Sequence, residues 1–148
     1  MQLRVTMLAG AALLLSACGQ GNNANVPGDT GDESAYAGIA EDAVIHLTGT
    51  EPFWGGTVEG GWFTYTTPEN TEGQRLSVGR FAGRGGVSFS GSLEGEEVDL
   101  AVTPGSCSDG MSDRTYPYVA TLQIGNEQRN GCAWLDGDRP QAGGPGEP

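Results

Sequence analysis

The segment Ser108-Asp109-Gly110-Met111-Ser112-Asp113-Arg114 gathers hydroxyl, carboxylate and guanidinium groups into seven residues directly after Cys107. Asp109 and Asp113 stand four apart around Gly110, which permits a sharp turn, and Ser108 and Ser112 are placed to cap backbone N–H groups. Three readings fit. The first is a structural turn in which Arg114 pairs with an Asp and Tyr116-Pro117-Tyr118 packs an end of the domain. The second is a binding loop, because loops held on a rigid scaffold so often carry function. The third is a calcium site, against which stand the few ligands and the lack of EF-hand oxygen spacing. Nucleophilic catalysis by Ser108 or Ser112 would need a base, and His46 is the only histidine. Nothing in the spacing brings it to them, and it alternates with Ile45 and Leu47 on the polar face of a strand. Glu94, Glu96 and Glu97, like Asp136 and Asp138, fall in polar turns or tail, without the groove that glycoside hydrolysis requires. Two cysteines and one histidine make a thin metal-ligand set. No catalytic residue, metal or cofactor is assigned.

The elements that must hold this loop read as β throughout. Residues 43–48 alternate, residues 53–58 and 62–67 flank Gly60-Gly61, and residues 75–81 form a less regular run. Val87 to Ser90 and Val98 to Val102 alternate around a turn at Glu94-Gly95. Tyr118, Ala120, Leu122 and Ile124 share one face, and Gly125-Asn126 turns the chain into residues 128–134. Gly-Gly and Gly-Asn pairs between alternating runs are hairpin signals. No window carries a helical period with caps. The spacing predicts an all-β domain over residues 42–135, a small antiparallel barrel or sandwich of about seven to eight strands. Roughly 95 residues suffice for one small core with a disulfide to help it. Trp54, Trp62, Phe63 and Tyr65 fit the lining of a sugar or lipid cleft, although strand aromatics in so small a domain are more often core.

The N-terminus fixes an expected address. One positive charge at Arg4, an apolar run from Val5 to Leu15 and the box Leu15-Ser16-Ala17-Cys18 have the parts of a secretory signal. The run is shorter than the ~20 residues a spanning helix needs. The box matches that of bacterial lipoproteins, so residues 1–17 are expected to be a signal peptide. Cys18 then becomes the lipidated first residue, holding acyl chains of the palmitate kind in the membrane. Gly19 after the cysteine points to the outer membrane where a cell has two. With Cys18 lipidated, Cys107 and Cys132 remain in an oxidising compartment, where a disulfide is the expectation. Residues 18–41 are rich in Gly, Asn, Asp and Ser and read as a flexible tether, and residues 136–148 read as a disordered tail.

The charge excludes some partners. The chain carries 19 acidic and 7 basic residues, a net charge of −12, and every basic residue is Arg. Loss of Arg4 with the leader makes the mature chain one unit more negative. Nucleic acid needs the opposite sign. A cationic protein partner would be attracted, and membrane attachment falls to the lipid.

Thr50-Glu51-Pro52-Phe53-Trp54, the string Ser108-Asp-Gly-Met-Ser-Asp-Arg-x-Tyr-Pro-Tyr118 and the late Gly131-Cys132 resemble a widespread family of uncharacterised bacterial envelope lipoproteins. The resemblance covers about residues 48 to 134. It implies no activity; members of that family occur beside domains of the heat-shock META type and of the membrane-bound lysozyme-inhibitor type, both small β folds.

Together these readings describe a membrane-anchored, non-enzymatic binding module of the cell envelope. Its candidate binding loop is 108–114, with Glu51, Trp54, Tyr116 and Tyr118 as candidate surface. A cationic lysozyme is the sharpest partner. A structural or stress-related role, binding another envelope protein, is the alternative, and a hydrolase the third.

Overall fold

The computed structural model describes residues 34–138 and 141–142, and within them it contains strands and turns but no helix. The elements are β1 (Ile45–Gly49), β2 (Gly55–Glu59), β3 (Trp62–Thr67), β4 (Asn70–Ala82), β5 (Val87–Leu93), β6 (Glu96–Ser108), β7 (Arg114–Ile124), β8 (Glu127–Leu135) and the short β9 (Gln141–Ala142). Alternation dictates most of them. In β1, β3 and β7 every second residue is buried, as a strand with one face on a core demands. Gly60 and Gly61 have φ of +55° and +81°, the left-handed values that let a two-residue turn follow the strands' twist.

Every strand from β1 to β8 pairs antiparallel with its neighbour in sequence, and β8 returns to pair with β1. The eight strands therefore close into an up-and-down barrel. The pairing of β1 with β8 is what decides between barrel and sandwich. Ile45, Leu47, Val58, Phe63, Leu76, Phe89, Val98, Leu100, Val102, Ala120, Leu122 and Ala133 fill the interior. Closure gives each of the eight strands a partner on both sides over part of its length, which for an all-β chain reduces the template for edge-to-edge association.

Several boundaries differ from the sequence reading, each for a physical reason. Phe53 and Trp54 are not in β2, because residues 50–54 form the β1–β2 connection with a cis Glu51–Pro52 bond. β4 and β6 are each 13 residues long, well beyond the alternating stretches expected at 75–81 and 98–102. Gly73 in β4 and the Pro104–Cys107 irregularity in β6 interrupt their alternation without ending their pairing. Only residues 109–113 connect β6 to β7.

The tether and tail readings also need correcting where the chain is described. Ile39, 2 % exposed, belongs to the core. Arg80 Nη2 donates to Ile39 O at 2.7 Å and Tyr36 N to Gly83 O at 2.7 Å, so the segment before β1 packs across one end of the barrel. Small and polar composition concealed this because a single buried isoleucine is enough to dock the strap. At the other terminus, Asp136 N donates to Val44 O, and Gln141–Ala142 pair with Arg114 and Thr115 of β7. The remainder of both segments, with Cys18 and the leader, lies outside the described residues. No described helix is long and apolar enough to cross a membrane.

Candidate functional site

An up-and-down order puts successive connections at alternate ends. The β1–β2 connection (50–54) and the β3–β4 turn (68–69) share one end, the mouth. The β6–β7 loop (109–113) and the residue 36–39 strap share the other. The two candidate segments of the sequence are thus separated: Glu51 and Trp54 belong to the mouth, while Ser108 to Arg114, Tyr116 and Tyr118 belong to the strap end.

The loop is built around Asp109. Its Oδ1 accepts from Ser112 N at 2.8 Å and Met111 N at 3.0 Å, and its Oδ2 accepts from Ser112 Oγ at 2.8 Å and Tyr116 OH at 3.2 Å. The backbone N–H groups of Ser112 and Met111, with the Ser112 hydroxyl, hold the carboxyl down to about 2. Ser108 Oγ accepts from Gly110 N and Ser112 Oγ from Arg114 N. Asp109 faces its own loop, with Met111, Asp113 and Arg114 exposed around it.

Cys107 and Cys132 form a disulfide with Cα atoms 5.6 Å apart, tying β6 to β8 across β7. Cys132 and Trp134 alternate with core-facing Ala133, so the bond lies on the outer wall. Tyr116 and Cys132 are buried outside the barrel core. Tyr116 packs on Trp134 at 5.3 Å between ring centroids, and Trp134 stacks on His46 at the same separation. Burial, followed by the negative charge of Asp109, raises the Tyr116 hydroxyl. His46 Nε2 meets Asp136 Oδ1 at 3.2 Å, and among the described residues it bonds neither Ser108 nor Ser112. No described group of three His, Cys, Asp or Glu has the arrangement of a metal site.

Trp54, Tyr116 and Tyr118, expected as surface, are buried. Each can be, because its polar atom finds an internal acceptor. Tyr118 OH faces Gly38 O at 3.5 Å. Trp54 Nε1 donates to Asn130 O at 3.1 Å, a carbonyl that also accepts from Thr50 N at 3.0 Å and Thr50 Oγ1 at 3.2 Å. Trp54 lies over Gly49 and Gly131, and a Cβ at Gly49 would come 2.0 Å from the indole. Thr50, Trp54 and Asn130-Gly131 are therefore one packing unit.

The mouth holds a cavity of about 740 Å³ lined chiefly by Glu51, Phe53, Tyr65, Pro68, Glu69 and Arg129. Arg129 occupies an inward position of β8, opposite core residue Leu122, and was not singled out from sequence. A charged residue in phase with Gly131 and Ala133 is the signal that marks it. Its guanidinium bonds the Tyr65 hydroxyl through Nη1 and Glu127 Oε2 through Nη2 at 2.9 Å. The Glu127 carboxylate raises the Arg129 pKa further. Burial raises Tyr65, with Arg129 opposing it. Glu51 and Glu69 make no hydrogen bond or ion pair among the described residues, and Phe53 is 44 % exposed at their side. What this mouth can do is grip a cation: two free carboxylates and an aromatic face surround space for one long side chain.

No protein-family model, curated protein or solved structure matches this chain.

Proposed function

We propose that the chain is a bacterial envelope lipoprotein of the family it resembles, lipid-anchored through Cys18, in the outer membrane where there are two. Its barrel is a non-enzymatic module that binds a cationic protein, a lysozyme being the sharpest candidate. The observation that carries the reading is the mouth. Among the described residues Glu51 and Glu69 are uncommitted beside Phe53, whereas Arg129, the cation lining the cavity, is already engaged by Glu127 and Tyr65. An arginine or lysine side chain entering there meets carboxylates and an aromatic ring without facing an uncompensated positive charge. The net charge of −12 would steer such a partner from a distance. Binding to a basic lysozyme, followed kinetically at low and moderate ionic strength, tests the idea. The association rate should fall as salt rises. The Glu51→Gln/Glu69→Gln pair should weaken binding by about tenfold. No binding at either ionic strength removes the proposal.

A further inference from the structure

We infer that the outer wall of β2–β5 is an oligosaccharide-binding face, with Trp62 and Phe81 as its two stacking platforms. It is separate from the mouth and independent of the function proposed there. On these strands the core takes Val58, Phe63, Tyr65, Leu76, Val78, Val87 and Phe89, which turns the alternate residues outward. Two of those are large aromatics left in solvent: Trp62 is 41 % and Phe81 69 % exposed. Trp62 stands opposite Ser77 of β4, and Phe81 lies four residues further along that strand. At the rise of an extended strand they are about 13 Å apart, the reach of a short oligosaccharide.

Between the aromatics the wall is small and hydroxylated, with Ser77 and Gly79 on β4 and Ser88 opposite Phe81 on β5. Around Trp62 is a depression of about 590 Å³ lined by Thr57, Glu59, Thr64, Glu72 and Arg75. The Arg75 guanidinium lies over one face of the indole, 4.5 Å from its centroid, and holds the ring in place, so a sugar would stack on the other face. The side chains of Thr57, Glu59, Thr64, Glu72, Ser77 and Ser88 make no hydrogen bond among the described residues, so their acceptors and donors are free for a ligand. A pyranose offers what this surface takes: a flat C–H face for an aromatic ring and a rim of hydroxyls for carboxylates, hydroxyls and a guanidinium.

Other occupants fit less well. A protein interface gathers its apolar residues into a contiguous core, whereas here Gly79 and Ser77 separate the two rings. An anionic membrane surface or nucleic acid would face Glu59 and Glu72.

Calorimetric titration of the full chain with cellotetraose, chitotetraose, cellobiose and glucose tests the inference. At least one tetrasaccharide should bind and glucose should not. Trp62→Ala should weaken that tetrasaccharide by about tenfold or more, with Trp62→Phe recovering part of the loss. Phe81→Ala should likewise weaken that tetrasaccharide. Both positions are exposed, so an unchanged melting temperature certifies the fold, and Phe53→Ala at the mouth should leave sugar binding intact. No heat with either tetrasaccharide at millimolar concentration, or binding indifferent to Trp62→Ala, overturns the proposal.

Discussion

Asp109 shows how one carboxylate can organise a loop. Four donors converge on it, and the group sits at about 2, below its ordinary 3.8. A depressed carboxyl stabilises the fold fully above the unfolded value and loses that contribution as pH falls through the folded one. The loop is therefore expected to keep its order at pH 5 and release between about pH 4 and 2. Titration of the Asp109 carboxyl carbon by NMR checks the midpoint. Asp109→Asn should melt earlier than the wild type at pH 7, and the gap between the two melting temperatures should narrow as pH falls through about 2, where the folded carboxyl takes up its proton. Tyr116→Phe removes one donor from this set while keeping the ring on Trp134; the expected cost is about 0.5–1.5 kcal/mol by denaturant titration. At this scale the sequence was half legible. The Asx turn could be read from Asp109, Gly110 and Ser112, but the reach of Tyr116 back to Asp109 depends on how β7 leaves the loop.

Among the elements, the hairpins were the most legible, since Gly60-Gly61 must turn wherever its flanks alternate. β4 and β6 were read short because Gly73, Pro104 and Gly105 suspend alternation while the backbone goes on pairing. Arg129 and Arg80 were passed over for a related reason: both occupy core-facing phases at opposite ends of the barrel, where a long charged side chain reaches a polar partner. The strap before β1 carries too little apolar composition to announce itself. Two tests belong to this level. Replacing both Cys107 and Cys132 by Ser removes the tie between β6 and β8 and should lower stability by about 3 kcal/mol, read from chemical denaturation. Trp54→Ala opens the space above Gly49 and Gly131 and frees Asn130 O of one donor. A loss of about 3–5 kcal/mol is expected, with Glu51 and Phe53 losing their fixed positions at the mouth.

For the whole molecule, closure and charge act together. Closure shortens the edges that could pair with another copy, and a net charge of −12 adds repulsion between copies. Association with a basic partner is therefore expected to show an on-rate that drops steeply with ionic strength and an off-rate that changes little, measurable by surface-coupled kinetics. Fold class was readable at this scale, because short alternating runs with turns at regular spacing leave few architectures. Barrel rather than sandwich was not, since the register of β1 against β8 joins residues at opposite ends of the domain and no local pattern records it. The mouth followed the same logic: Glu51 was visible as a candidate, but its neighbours Glu69 and Arg129 come from turns and strands far along the chain.

Because the first and last barrel strands are partners, the polypeptide enters and leaves on the same side, the one covered by the Ile39 strap. The opening at Phe53 consequently lies at the far end of the barrel from residues 36–39 and 136–138. A graft into the Thr67–Asn70 turn would stand directly in the path of that opening, whereas one into the 109–113 loop would sit at the far end of the barrel.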